Sequence, residues 1–199
     1  MKSMIRISMA LFFVSMMTGT LSAQKSADKR KAEISFEIDP ITFISKGYSA
    51  HLRIKPGASD HLLLGAGTYA MEMPAAIVNL TSGNKNQGWD VRLNQGYGLF
   101  GEHFFSEVNR KFFLGVQTGI QQYKLSNESL SGNVKYTNAL AMGYGGYAIQ
   151  PFDFPLYFKI WGGLGYTAKI SGENVLQDKE YQIAPLSMFA TLHIGYTFK

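Results

Sequence analysis

From Leu186 to Phe198 the side chains alternate. Met188, Ala190, Leu192, Ile194, Tyr196 and Phe198 share one parity. Ser187, Thr191, His193, Gly195 and Thr197 share the other, with Phe189 the only large apolar residue among them. Successive side chains of a strand leave opposite faces, so the segment predicts a strand with one greasy face and one mostly polar face. The pattern recurs upstream. Tyr48, Ala50, Leu52 and Ile54 oppose Ser49, His51, Arg53 and Lys55, and Leu156, Phe158, Ile160, Leu164, Tyr166, Ala168 and Ile170 oppose Tyr157, Lys159, Trp161, Gly163, Gly165, Thr167 and Lys169. On 89–105, Val91, Leu93, Tyr97 and Leu99 read as one face against Asp90, Arg92, Asn94, Gly96 and Gly98. Eight strands are predicted: 33–44, 48–55, 61–73, 89–105, 112–126, 135–152, 156–170 and 186–198. Asp39-Pro40 interrupts the first.

The connections alternate in length. Those at 56–60, 106–111 and Asp153 are short, whereas 74–88, 126–133 and 171–179 are longer, the first with a helical piece at 75–80. Short inner turns facing long outer loops are the asymmetry of outer-membrane barrels, and an even strand number puts both chain ends on the periplasmic side. The tight first connection, Ser45-Lys46-Gly47, departs from that trend. The fold predicted is all-β: one closed antiparallel transmembrane β-barrel of eight strands spanning 33–199.

Composition decides which face points out. Charged residues make up only 17% of the chain. The polar parity is crowded with Gly, Gln, Asn and Thr rather than with the charges of a water-facing sheet. The apolar face is therefore assigned to lipid and the polar face to the lumen; a soluble barrel would reverse them. Tyr48, Trp89, Tyr97, Tyr144, Tyr166, Tyr196 and Phe198 are candidates for interfacial girdles.

The leader agrees with export. Lys2 and Arg6 precede an apolar run over 7–19, and Leu21-Ser22-Ala23 offers a small-residue cleavage site, so 1–23 reads as a signal peptide. The basic run at 25–31 falls in a solvated tail, 24–32. Removing 1–23 takes two of the 19 Lys and Arg residues and leaves 17 against 14 Asp and Glu, a net of +3 too weak and dispersed for nucleic acid. With no cysteine there is neither a disulfide nor a lipidated N-terminal cysteine.

Turned inward, the polar face gathers a lumen network: Glu37, Asp39, Arg53, Arg92, Glu102, Lys159, Lys169 and His193. An eight-stranded barrel is just wide enough for side chains to fill, and buried charges must pair, so Glu37, Asp39 and Glu102 are expected to serve Arg53, Arg92 and Lys159. The bland reading is a packed structural network; the sharper one is a narrow solute path lined by the same groups. Enzyme chemistry has one dense cluster to draw on, Glu102-His103-Phe104-Phe105-Ser106-Glu107. Strand geometry sends Glu102 and His103 to opposite faces and so disfavours a catalytic site there. The four histidines show no close metal-ligand pair, and no cofactor or metal is expected.

The last third of the chain carries a family resemblance. Tyr157-Phe158-Lys159-Ile160-Trp161-Gly162-Gly163-Leu164-Gly165-Tyr166-Thr167 and the run from Ala184 through Phe198 resemble strands of small outer-membrane β-barrel proteins of Bacteroidetes, as does Phe112-Phe113-Leu114-Gly115-Val116-Gln117. The resemblance implies a monomer among outer-membrane lipid and lipopolysaccharide, delivered by periplasmic chaperones to the barrel-assembly machinery. That machinery reads a C-terminal aromatic signature, which Tyr196 and Phe198 match and Lys199 departs from. The function expected is a non-enzymatic barrel with a structural role or a binding role through its outer loops. A small-solute channel and a lipid A-modifying enzyme are the alternatives.

Overall fold

A computed structural model describes residues 31–198. The predicted signal peptide and most of the predicted tail lie outside the described residues. Eight strands close into an antiparallel barrel: β1 (Glu33–Ile38), β2 (Tyr48–Lys55), β3 (Leu62–Glu72), β4 (Trp89–Phe104), β5 (Lys111–Asn127), β6 (Leu130–Ile149), β7 (Leu156–Gly172) and β10 (Leu186–Phe198). Sequence neighbours pair all the way round, and β10 closes onto β1 with Ile34 opposite Phe198 and Ile38 opposite Ile194. A small hairpin, β8 (Val175–Leu176) with β9 (Lys179–Glu180), stands apart from the barrel sheet.

The alternation resolves as the sequence predicts along β7 and β10. Leu192 lies opposite Ile160, Ile194 opposite Phe158 and His193 opposite Lys159. Ile160 is 64% exposed on the outer surface, whereas Lys159 is 0% exposed inside. Leu99, Leu114, Val116, Leu164 and Tyr166 extend the exposed apolar belt round the barrel. Trp89 and Tyr144, read from sequence as girdle candidates, are instead buried inside.

Three further expectations are corrected. First, β1 is six residues long and stops at Ile38. Pro40 removes a ladder donor, Asp39 Oδ1 caps the amide of Ile41 at 2.8 Å, and the chain turns into a one-turn helix, α1 (Pro40–Ile44). Second, the loop predicted over 126–133 is a hairpin, because β5 runs to Asn127 and β6 starts at Leu130. These strands rise past the apolar belt, where Tyr123, Leu125, Val134 and Tyr136 are apolar on the inner face and the residues of the turn between them are mostly polar. Third, β4 carries a bulge: Leu93 faces Tyr123 and Gln95 faces Gln122, which leaves Asn94 as the extra residue. One inserted residue reverses the faces beyond it, so Trp89, Val91 and Leu93 point inward and Arg92 points outward. The helical piece predicted in 74–88 is α2 (Ala75–Val78), which covers the outer end beside β8 and β9.

Candidate functional site

The candidate site is the lumen, and its inner half is built from four charges. β1 supplies Glu37, β2 Arg53, β4 Glu102 and β7 Lys159, each on the inward parity and at most 1% exposed. Lys159 Nζ lies 2.6 Å from Glu37 Oε1 and 2.9 Å from Glu102 Oε2. Arg53 Nε donates to Glu37 Oε2 at 2.9 Å, and its guanidinium comes within 3.6 Å of Glu102 Oε1. Each carboxylate touches both cations, so the signs alternate round a closed square and sum to zero.

Tyrosines fill the remaining acceptor sites. The Tyr157 hydroxyl donates to Glu37 Oε1 at 2.8 Å and the Tyr144 hydroxyl to Glu102 Oε1 at 3.0 Å. His193 Nδ1 is 3.0 Å from Glu37 Oε2. Two glycines make room for the rings: a Cβ on Gly195 would stand 2.2 Å from Tyr157 Cζ, and one on Gly115 would stand 2.4 Å from Tyr144 Cζ. The Arg53 guanidinium also lies over the Phe100 ring, 4.3 Å from its centroid. Stacked Phe104 and Phe113, with buried Leu63, pack the end of the barrel below the square.

Of the residues singled out in the sequence, Glu37, Arg53, Glu102, Lys159 and His193 come together. Asp39 is buried beside them but serves the wall: it caps α1 and accepts from Thr191 Oγ1 at 2.7 Å. Arg92 does not belong to the lumen. The β4 bulge turns it outward, where it lies 3.7 Å from Glu72 and donates to the Lys46 carbonyl at 2.9 Å. Lys169 does not belong either. It stands exposed by the β6–β7 register shift at the outer end and donates to Asn174 Oδ1 at 2.6 Å. Sequence reading did not attach Tyr144 and Tyr157 to the carboxylates. Tyr157 shares the parity of Lys159, a usable signal, but Tyr144 sits in a glycine-rich run without one. Tyr196 and Phe198 face outward at the end of β10, in edge-on ring contact.

The outer half of the lumen is different. Above the square lies a cavity that is partly open to solvent. Met71, Leu93, Leu140, Met142 and Trp161 line its walls, His51 and His193 its floor, and Met73 and Ile77 its outer end. The Tyr69 hydroxyl accepts from both Gln117 and Gln121 across it. Farther out, Trp89, Val91, Leu125, Tyr136, Leu176 and Tyr181 form a second apolar cluster under the hairpin. Burial pushes the Tyr181 hydroxyl up to about 12.

The catalytic cluster considered from sequence is split by the wall: Glu102 is buried inside and His103 faces out. His61 Nδ1 is engaged by the carbonyls of Phe104 and Ser106. Among the described residues no group of three His, Asp or Glu side chains is placed to hold a metal ion.

No family model matches this sequence, and no curated protein matches it. Among solved structures, the N-terminal β-barrel domain of Pseudomonas aeruginosa OprF is similar at 13% identity and a TM-score of 0.43, with 86% of this chain and 100% of that domain covered.

Proposed function

We propose that this chain is a bacterial outer-membrane β-barrel, exported by a cleaved signal peptide, that works without chemistry of its own: it strengthens the envelope and presents its outer loops for binding. The observation that carries this reading is the four-charge square. Its groups are packed against one another and against Tyr144 and Tyr157, which leaves no chain of exposed polar groups through the inner half among the described residues. The exposed apolar belt supports a bilayer setting, since a barrel wall satisfies its own backbone in lipid.

A row of basic residues supports lipopolysaccharide as the lipid partner. Arg92, Lys124 and Lys135 lie directly opposite one another on β4, β5 and β6, on the outward face above the apolar belt. Like charges set opposite across strands repel, and an anionic headgroup layer relieves that repulsion.

The test is planar-bilayer recording of refolded protein. The expected trace shows no steady single-channel steps; steady steps that change on Lys159→Met would replace this reading with a small-solute channel. Mass spectrometry of lipid A from cells with and without the protein is expected to show one acyl pattern, and an altered pattern would replace it with an enzyme.

A further inference from the structure

The wall of the outer half has a gap. β10 pairs with β7 from Leu186 to Tyr196, but with β1 only from Ile194 to Phe198. Between Leu186 and Leu192 its other edge pairs with no strand among the described residues, because β1 has ended and α1 takes its place. Exposure follows the same division. Over the last eight residues of β10 the inward parity is buried, whereas over its first five no residue of either parity is. The gap lies within the apolar belt, since Leu186 is opposite Tyr166 and Met188 is opposite Leu164.

The cavity reaches this gap. Met188, which has outward parity and is 46% exposed, lines it together with inward Ser187 and Phe189 and with Thr42 of α1. A second pocket shares Ser187, Met73, Ile77 and Tyr123 with it and so continues the space toward the outer end. An uncovered strand edge is costly in hydrocarbon unless something polar meets it, and an apolar chamber opening sideways into lipid is filled by whatever lies beside it.

We propose that the gap between β10 and α1 admits one acyl chain of a bilayer lipid into the outer half of the lumen. The chain lies among Met71, Leu93 and Met142 above the charge square, and the polar end of the lipid stays at the uncovered edge of β10. The proposal rests on the outer-membrane reading above. It is independent of whether the barrel conducts.

The test uses full-length protein refolded into vesicles containing a phosphatidylethanolamine with a diazirine on one acyl chain, with adducts mapped by peptide mass spectrometry after illumination. Adducts are expected on Met71, Leu93 or Met142 as well as on outward Leu99 and Val116. In Ser187→Trp, which fills the opening, the lumen adducts are lost and the outward ones are kept; the outward adducts also report that the variant has folded into the bilayer. Adducts confined to outward residues overturn the acyl-chain proposal and leave the membrane reading standing. Absence of adducts on Leu99 and Val116 overturns the membrane reading itself, and lumen adducts unchanged in Ser187→Trp overturn the assigned opening.

Discussion

The two halves of this lumen share strands and inward parity yet solve burial in opposite ways. The inner half is walled on every side by paired strands and filled by Glu37, Arg53, Glu102 and Lys159 with their tyrosines. The outer half loses β1 as a wall and is lined mainly by methionines, leucines and aromatics round a cavity. Buried charges demand fixed partners, because an ion left alone in a dry interior is far costlier than a missing methyl group. The apolar half tolerates empty space and a gap in its wall. Fixed partners therefore belong to the charged half, and free space belongs to the half that holds the cavity.

The largest expected effect comes from breaking the square. Glu37→Ala strands Lys159 and Arg53 beside a single carboxylate and is expected to cost about 3–5 kcal/mol. Met142→Ala, beside existing free space, is expected to cost about 2 kcal/mol, the low end for such truncations. Urea unfolding in vesicles, followed by tryptophan fluorescence, ranks the two; a larger loss for Met142→Ala would reverse the comparison.

Next comes the packing that the square imposes. In Gly115→Ala the new methyl would sit 2.4 Å from Tyr144 Cζ, so the ring must shift from Glu102. Overpacking of this kind costs about 1–3 kcal/mol. Gly115→Ala with Tyr144→Phe tests the coupling: removing the hydroxyl that Glu102 holds is expected to recover part of the loss, and strict additivity would show that the ring is not pinned.

The smallest effect concerns the outer cap. Burial holds the Tyr181 hydroxyl up to about 12, above the ordinary tyrosine value of about 10. Its neutral form is favoured in the folded state, so its contribution is fully present below pH 10 and fades as pH climbs toward 12. Ultraviolet titrations of the native protein and of Tyr181→Phe should differ by one phenol ionising near pH 12; coincident curves there would place that phenol elsewhere.

The barrel was legible in the sequence wherever the outer face is an exposed apolar belt, as along β7 and β10. The alternation has a period of two and survives isolated exceptions such as Phe189. It failed at Asn94, where a single inserted residue turns Arg92 outward with no trace in composition. It also failed above the apolar belt, where 126–133 reads as polar loop because the outward face there is polar and only the inner face packs on apolar neighbours. Asp39-Pro40 did announce the end of β1, since a missing donor and a capping carboxylate act locally. The square was legible as a set of inward charges, but not as a geometry. Which carboxylate meets which cation depends on positions across the lumen, between residues as distant in sequence as Glu37 and Lys159.

The central claim is that the apolar face meets hydrocarbon and the charged face is enclosed. The native chain has no cysteine, so single-cysteine variants at Leu99, Val116 and Leu164 can each carry one nitroxide. Spin relaxation in vesicles is expected to show all three labels colliding with oxygen dissolved in the bilayer and shielded from a water-soluble nickel complex. Labels that collide with nickel and are shielded from oxygen would contradict the claim.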